Sequence, residues 1–208
     1  MAQMAKPCCK TCKKYGIKMY LKGRRCESDR CAMDPRKARR ARRTSRRMKL
    51  SEYAMQVREK NKLRIYYGVG EAQFRRYFEI ARRTRGVTGT VLLQLLERRL
   101  DNVVYRLNWT FSRRMARQAV VHGHIFLNGR KMDRPGYTVK LNDVVSLKPN
   151  DSFAAAARAC REERKNTAIP AWMQPSDDGT SAVITRFPTR EEISIPVEEQ
   201  HIINLYSK

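Results

Sequence analysis

Residues 112–132 read SRRMARQAVVHGHIFLNGRKM, and the punctuation of this stretch sets out a helix followed by a hairpin. Ser112 has a hydroxyl that accepts from the free N–H groups of a helix start, and Gly123 suits the left-handed residue at which a helix stops. Between them Met115, Ala116, Ala119 and Val120 recur at helical spacing, which leaves Arg113, Arg114 and Arg117 at the surface near the helix start. Ile125-Phe126-Leu127 is then a strand. Asn128-Gly129 is the dipeptide that two-residue hairpins favour, because both turn positions need positive φ, and Arg130-Lys131-Met132 returns. Pro135-Gly136 turns the chain, and residues 137–141 and 144–147 are further strand candidates around Asn142-Asp143.

Upstream, Ser51 caps a helix that carries Glu52 in its first turn and runs to about Lys62. A second helix starts near Glu71, with Phe74, Tyr77, Phe78 and Ala81 on one face and Gly86 after it. A third and longest helix is expected from Thr88 or Gly89 to Leu107. Its Leu92, Leu96, Leu100, Val103 and Leu107 form an apolar stripe at steps of four, four, three and four, which belongs in a core. Downstream, an Ala-rich helix runs from Phe153 to about Lys165 with Arg158, Arg161 and Arg164 on it. A turn follows at Asp177-Asp178-Gly179, then short alternating segments at 183–187 and 193–197, and an apolar close at 201–206 that packs back on the helical body. The fold class expected is α+β. A mainly helical body (50–97, completed by 149–208) carries a small module of two helices and a twisted antiparallel sheet (98–148), behind a basic arm with a cysteine knuckle (1–49).

The charge balance names the kind of partner. The 208 residues hold 45 Lys and Arg against 20 Asp and Glu, a net charge of +25, and self-repulsion of that size calls for a polyanion. Residues 1–49 carry 18 basic and three acidic side chains, whereas residues 170–208 carry three and six. The first quarter therefore faces phosphate and the tail faces something else. Residues 36–49 (RKARRARRTSRRMK) hold nine basic residues and no acid, an arm that orders on nucleic acid. An anionic membrane needs a lipid anchor or a basic amphipathic helix with bulky apolar residues, and neither is present. No signal core or membrane-length apolar run occurs, so the chain reads as cytoplasmic, with no membrane partner and no small-molecule substrate.

Five of the six cysteines fall in residues 8–31. Cys9 and Cys12 have two residues between them, Cys26 and Cys31 have four, and the loop joining the pairs is short. Two close pairs suit a tetrahedral thiolate site for one structural Zn²⁺. Lys10, Lys13, Lys14, Lys22, Arg24, Arg25 and Arg30 would offset its negative charge and depress the thiol pKa values. Cys8 is an alternative to Cys9. Disulfides do not suit a chain without an export signal, and a cluster of iron and sulfur or four free thiols are the other readings of the set.

Resemblance then narrows the partner. ERRLDNVVYRL (97–107), SRRMARQAVVHGHIFLNGRKM (112–132) and PGYTVKLNDVVSL (135–147) closely resemble the RNA-binding domain named after small-subunit ribosomal protein S4. KLSEYAMQVREKNKLRIYYGV (49–69), EAQFRRYF (71–78), GVTGTVLLQLLERRLDNVVYRL (86–107), EEQHIINLYSK (198–208) and the cysteine region with YLKGRRC and CAMD extend the resemblance to the bacterial uS4 family over nearly the whole chain. One element departs from the family: a Pro/Gly-rich stretch with Gln-His-Gly is usual before the first helix, and residues 36–49 stand in its place. The resemblance implies a non-enzymatic, primary binder of 16S rRNA that nucleates assembly of the small subunit in the bacterial ribosome. It also implies contacts with neighbouring small-subunit proteins that bear on translational accuracy, and a position near the channel through which mRNA enters. RNA-contacting residues expected from charge, position and resemblance together are Arg36, Arg39, Arg40, Arg42, Arg43, Arg46, Arg47 and Lys49 in the arm, and Arg98, Arg99, Arg113, Arg114, Arg117, Gln118, His122, His124, Asn128, Arg130 and Lys131 in the module.

The same module occurs on pseudouridine synthases and some tRNA synthetases, so an RNA-modification or tRNA-related factor is the alternative. Such enzymes need a separate catalytic domain, and only about 60 residues follow the module here. No phosphate-cradling Gly-rich loop or Ser/His/Asp set stands out, and no catalytic residue is assigned. A zinc-knuckle DNA regulator would need a recognition helix with base-reading Asn or Gln, which is absent.

Overall fold

The computed structural model describes residues 7–34, 36, 50–149 and 151–207, and they form two compact units. One unit contains the described residues up to Arg75 together with those from Ile195 on, and the other spans Arg76–Ser194.

In the first unit α1 (Cys8–Tyr15) and α2 (Arg24–Glu27) bracket the cysteine region. α3 (Glu52–Tyr67) starts where expected: Ser51 Oγ accepts the Ala54 N–H at 3.3 Å. It runs a turn longer than Lys62, to a left-handed Gly68. α4 (Glu71–Arg83) begins in this unit and ends in the other. The chain end, α9 (Glu199–Tyr206), lies along α3, so the tail does pack back on the helical body. Two kinds of contact fix it there. The Tyr206 ring stacks on Phe74 with centroids 6.3 Å apart, and its hydroxyl donates to Glu71 Oε1 at 3.1 Å. Lys62 Nζ donates to the Pro196 carbonyl at 2.8 Å, which anchors the chain ahead of α9. Leu63, Tyr66, Tyr67, Phe74, Ile195, Val197 and Ile202 are buried here.

The second unit holds α5 (Thr88–Glu97), α6 (Leu100–Arg106), α7 (Arg113–Val121), α8 (Ser152–Glu163) and the sheet. The strands are β1 (Ile125–Leu127), β2 (Arg130–Lys131), β3 (Val144–Leu147), β4 (Met173–Pro175) and β5 (Ser181–Ile184), in the antiparallel order β2-β1-β3-β5-β4. Ile125 pairs with Leu147, and Val145 with Ala182. All four point inward, onto Leu100, Val103, Val104, Trp109, Ala116, Val120 and Trp172. The Trp109 indole donates to the Gly179 carbonyl at 2.9 Å, so this buried ring also has its polar atom satisfied.

The structure corrects the sequence expectations in several places. The single helix expected from residue 88 to 107 is two, because Arg99 takes extended backbone (ψ 136°) between α5 and α6. Residues 137–141 do not extend the sheet and make only one isolated bridge, Thr138 to Arg99. Both departures have one cause. The Tyr137 and Pro135 carbonyls accept the Leu100 and Asp101 N–H groups at 2.8 and 3.1 Å, so this segment caps α6 instead of pairing in the sheet. The apolar stripe stays in register across the break, and Leu92, Leu96, Leu100, Val103 and Leu107 are all buried. Residues 149–194 supply α8, β4 and β5 to the sheet unit, and only the residues beyond them return to α3. Of the two short alternating segments, 183–187 overlaps the end of β5 and 193–197 takes no regular secondary structure.

Candidate nucleic-acid interface

The run Glu97–Asn102 (ERRLDN) is a buried polar network. Arg99 has no exposed surface, and its Nε and Nη2 meet the two Asp101 oxygens at 3.0 and 2.6 Å while Nη1 reaches Tyr77 Oη at 3.0 Å. Burial alone would lower the Arg99 pKa, but the Asp101 carboxylate more than offsets it and holds the guanidinium charged. Asn102 Nδ2 donates to Glu97 Oε2 at 2.6 Å, and Arg106 closes on the same carboxylate at 2.7 and 3.1 Å. Arg113 Nε donates to Asn102 Oδ1 at 2.7 Å, and the Arg113 and Arg164 guanidiniums stand 4.5 and 4.9 Å from the Tyr105 ring. The expectation that Arg113 lies at the surface is therefore corrected, and Arg99 likewise presents no face to a ligand. Both side chains tie helices together.

Asn128 also has a local role. At φ 50° it fills the first left-handed turn position, with Gly129 at 77°. Its Oδ1 accepts the Val144 N–H at 2.8 Å and its Nδ2 donates to Asp143 Oδ1 at 2.9 Å, which pins the hairpin to β3. Arg98 is half-buried, donates to the Val139 carbonyl at 2.8 Å and lies 3.8 Å from the Phe187 ring centre.

The outward residues of the module are few and close in the chain. Ser112 Oγ accepts the Met115 N–H and starts α7, which places Arg114 and Gln118 one turn apart on its exposed side. Arg117 is half-exposed, 3.9 Å from Asp101. Arg130 and Lys131 are exposed on β2, and the Lys131 side chain lies across Gly123, where an added Cβ would overlap it. His122 is exposed beside that glycine. His124 is held through Nδ1 by Asp151 Oδ2 at 2.5 Å, a bond that keeps the Asp151 carboxyl below its usual range. Arg114, Gln118, His122, Arg130 and Lys131 thus form an exposed rim of a helix, its stop and a hairpin.

Arg36 is exposed, and Arg39, Arg40, Arg42, Arg43, Arg46, Arg47 and Lys49 lie outside the described residues. Sequence reading passed over Arg76, Arg82, Arg83 and Arg85, all exposed on or just after α4. Their signal was available: pairs of arginines recur at residues 75–76 and 82–83 on the side opposite the buried Phe74, Phe78 and Ala81.

At the N-terminus, Cys8, Cys12, Cys26 and Cys31 are buried free thiols and Cys9 is half-buried. Cys12 and Cys26 each accept a backbone N–H, from Met19 and from Lys22 (3.3 Å) respectively. Burial pushes both thiols up, and the neighbouring thiols add to it. The expected depression by the surrounding lysines and arginines is therefore corrected for these two, because those exposed cations act through water while burial acts directly. Among the described residues, no group of three or more Cys, His, Asp or Glu side chains is arranged to hold a metal ion. No helix is long and apolar enough to cross a membrane among the described residues.

Comparison with known proteins divides the chain between residues 97 and 98, not at the boundaries of the two compact units. Residues 3–97 match the family described as ribosomal protein S4/S9 N-terminal domain, and residues 98–145 match the S4 domain. The chain is similar over its full length, and over the full length of each relative, to small ribosomal subunit protein uS4 of Kosmotoga olearia (44% identical), to uS4A of Symbiobacterium thermophilum (45%) and to uS4 of Acetivibrio thermocellus (43%). With two family profiles spanning most of its length and relatives of this identity end to end, the chain belongs to the uS4 family of small ribosomal subunit proteins.

Proposed function

We propose that this chain is a structural, non-enzymatic component of the small ribosomal subunit that binds rRNA through charge and shape. The observation that carries the reading is the sorting of cations in the S4 domain. Arg99, Arg106 and Arg113 are committed to buried carboxylates, an amide and a ring, whereas Arg114, Arg130 and Lys131 are exposed on the rim. Rigid helices and a pinned hairpin hold those exposed charges at fixed spacing, which suits an A-form backbone read through phosphates, 2′-hydroxyls and shape. The family and the net charge of +25 point the same way. The finer reading is a primary binder of 16S rRNA that nucleates subunit assembly, with the arm at 36–49 close to incoming mRNA and further surfaces on neighbouring small-subunit proteins that bear on accuracy. It is supported by the resemblance of the whole chain and by the basic composition of the arm. Crosslinking from cells tests it: small-subunit rRNA should dominate the recovered nucleic acid. Recovery mainly of tRNA would favour the alternative, an RNA-modification or tRNA-related factor with the same module.

Zinc belongs to the same proposal. Cys9, Cys12, Cys26 and Cys31 would hold one structural Zn²⁺, which would lock the two turns of this region together. What supports it is the chemistry of the set: two spaced pairs, mutual electrostatic proximity, and N–H groups already directed at Cys12 and Cys26 sulfur. Elemental analysis of the purified protein decides: one zinc per chain, lost to chelator with proton uptake by the raised thiols, is expected, and a folded metal-free protein would contradict it.

A further inference from the structure

Three rings follow one another at the point where α7 gives way to β1. Phe153, on the first turn of α8, stacks on His124 with centroids 5.0 Å apart and planes 18° from parallel. His124 stacks in turn on His122, at 6.2 Å and 23°. The inner two rings are fixed. Asp151 Oδ2 holds His124 Nδ1 at 2.5 Å, Asp151 Oδ1 accepts the Phe153 N–H at 3.3 Å, and the His124 carbonyl accepts the Lys148 N–H at 2.8 Å. One carboxylate therefore holds the His124 ring and the backbone that carries Phe153. His122 ends the series: it is exposed, and no further ring of the described residues stacks on it. Gly123 separates the two histidines at φ 77°, a backbone conformation that turns the chain without a side chain in the way, and the space a Cβ would take is occupied by Lys131. An ammonium is thus carried across the same corner as the terminal ring.

We propose that this corner is a stacking site for one unpaired nucleobase of the RNA, with His122 as the plate on which the base lies and Lys131 on the adjoining phosphate. The inference rests on the rRNA-binding reading and sharpens it. An exposed, nearly planar extension of a fixed aromatic series offers a π-face that every base can use, and in RNA the bases free to use it are those in loops, bulges and junctions. The rim cations select a polyanion, and His122 adds a requirement that a paired helix does not meet. Asp151 is a positioning residue, acting through His124.

Binding of the full chain to small-subunit rRNA, measured at several salt concentrations with chemical probing of the unpaired bases, tests the site. His122→Ala should weaken binding about tenfold, the scale of one lost base stack, leave the salt slope unchanged, and raise the reactivity of one unpaired base. His122→Phe should restore affinity and protection, and His122→Lys should restore neither. His122 is exposed, so none of the three should shift thermal unfolding. Restoration by Lys with failure of Phe would show a charge contact and overturn the proposal. Unchanged affinity of the Ala variant, with normal salt-dependent binding by the wild type, would overturn it as well. Wild-type protein that fails to bind rRNA at all would overturn the reading beneath it.

Discussion

Arg99 and Asp101 face each other almost wholly buried, and that enclosure makes the pair costly to break. Arg99→Met should destabilise the protein by about 3–5 kcal/mol, because a buried carboxylate loses its near, doubly hydrogen-bonded counter-charge and keeps only Arg117 at 3.9 Å, and urea unfolding measures it. The salt dependence of RNA binding should not change. Arg114 carries the same charge to the opposite effect. Replacing Arg114, Arg130 and Lys131 together with Ala should lower the salt slope by about 2–3, in line with three lost phosphate contacts, and leave thermal unfolding where it was. A hydrophobic pattern predicts that Arg113 is outward, since it sits at the start of an amphipathic helix. It turns inward because Asn102, on another helix, offers an acceptor at 2.7 Å and Tyr105 offers a ring. Such a partner is not legible along the chain. The turn chemistry was: Ser112, Gly123 and Asn128-Gly129 act where their residue types said they would.

Between elements, the junctions carry the information that periodicity lacks. Gly123→Ala puts a side chain at φ 77°, which costs about 1–2 kcal/mol, and also displaces Lys131. RNA affinity should therefore fall further than stability alone explains, and a titration beside a melting curve separates the two effects. The loop after β5 is held by Arg186, whose guanidinium hydrogen-bonds both Glu192 oxygens at 2.6 and 2.8 Å. This bond, helped by Thr189, lowers the Glu192 carboxyl from its ordinary value near 4.5 to about 2. A depressed carboxylate pKa stabilises the fold fully above the unfolded value and progressively less below it. Stability should therefore decline from about pH 4.5 toward pH 2, and Arg186→Gln should flatten that decline in unfolding measured across the range. The break at Arg99 and the failure of residues 137–141 to pair were hidden for a related reason. A helix of continuous apolar stripe and a segment of strand-like residues meet there, and the N–H groups of α6 need carbonyls that only the other segment supplies.

For the molecule as a whole, charge sets the partner and topology sets where the chain meets itself. The acidic tail is divided: residues up to Ser194 complete the sheet unit and those from Ile195 return to α3. Composition marked the tail as facing protein but could not divide it, because β5 pairing with β3 is a contact between segments far apart in the chain. The +25 net charge calls for a polyanion at every scale. Affinity for rRNA should fall about a thousandfold or more between 50 and 200 mM salt if several phosphates are neutralised, a dependence that filter binding reads directly. The central claim is that the exposed rim of the S4 domain, at 114–131, lies on small-subunit rRNA while the buried arginines do not. A footprint of the full chain on naked small-subunit rRNA, compared with that of the Arg114, Arg130 and Lys131 triple variant, tests it most directly. The expected result is protection of a discrete, junction-containing region, with one part of it lost in the variant. Protection that is diffuse, or unchanged by the three substitutions, would contradict the account.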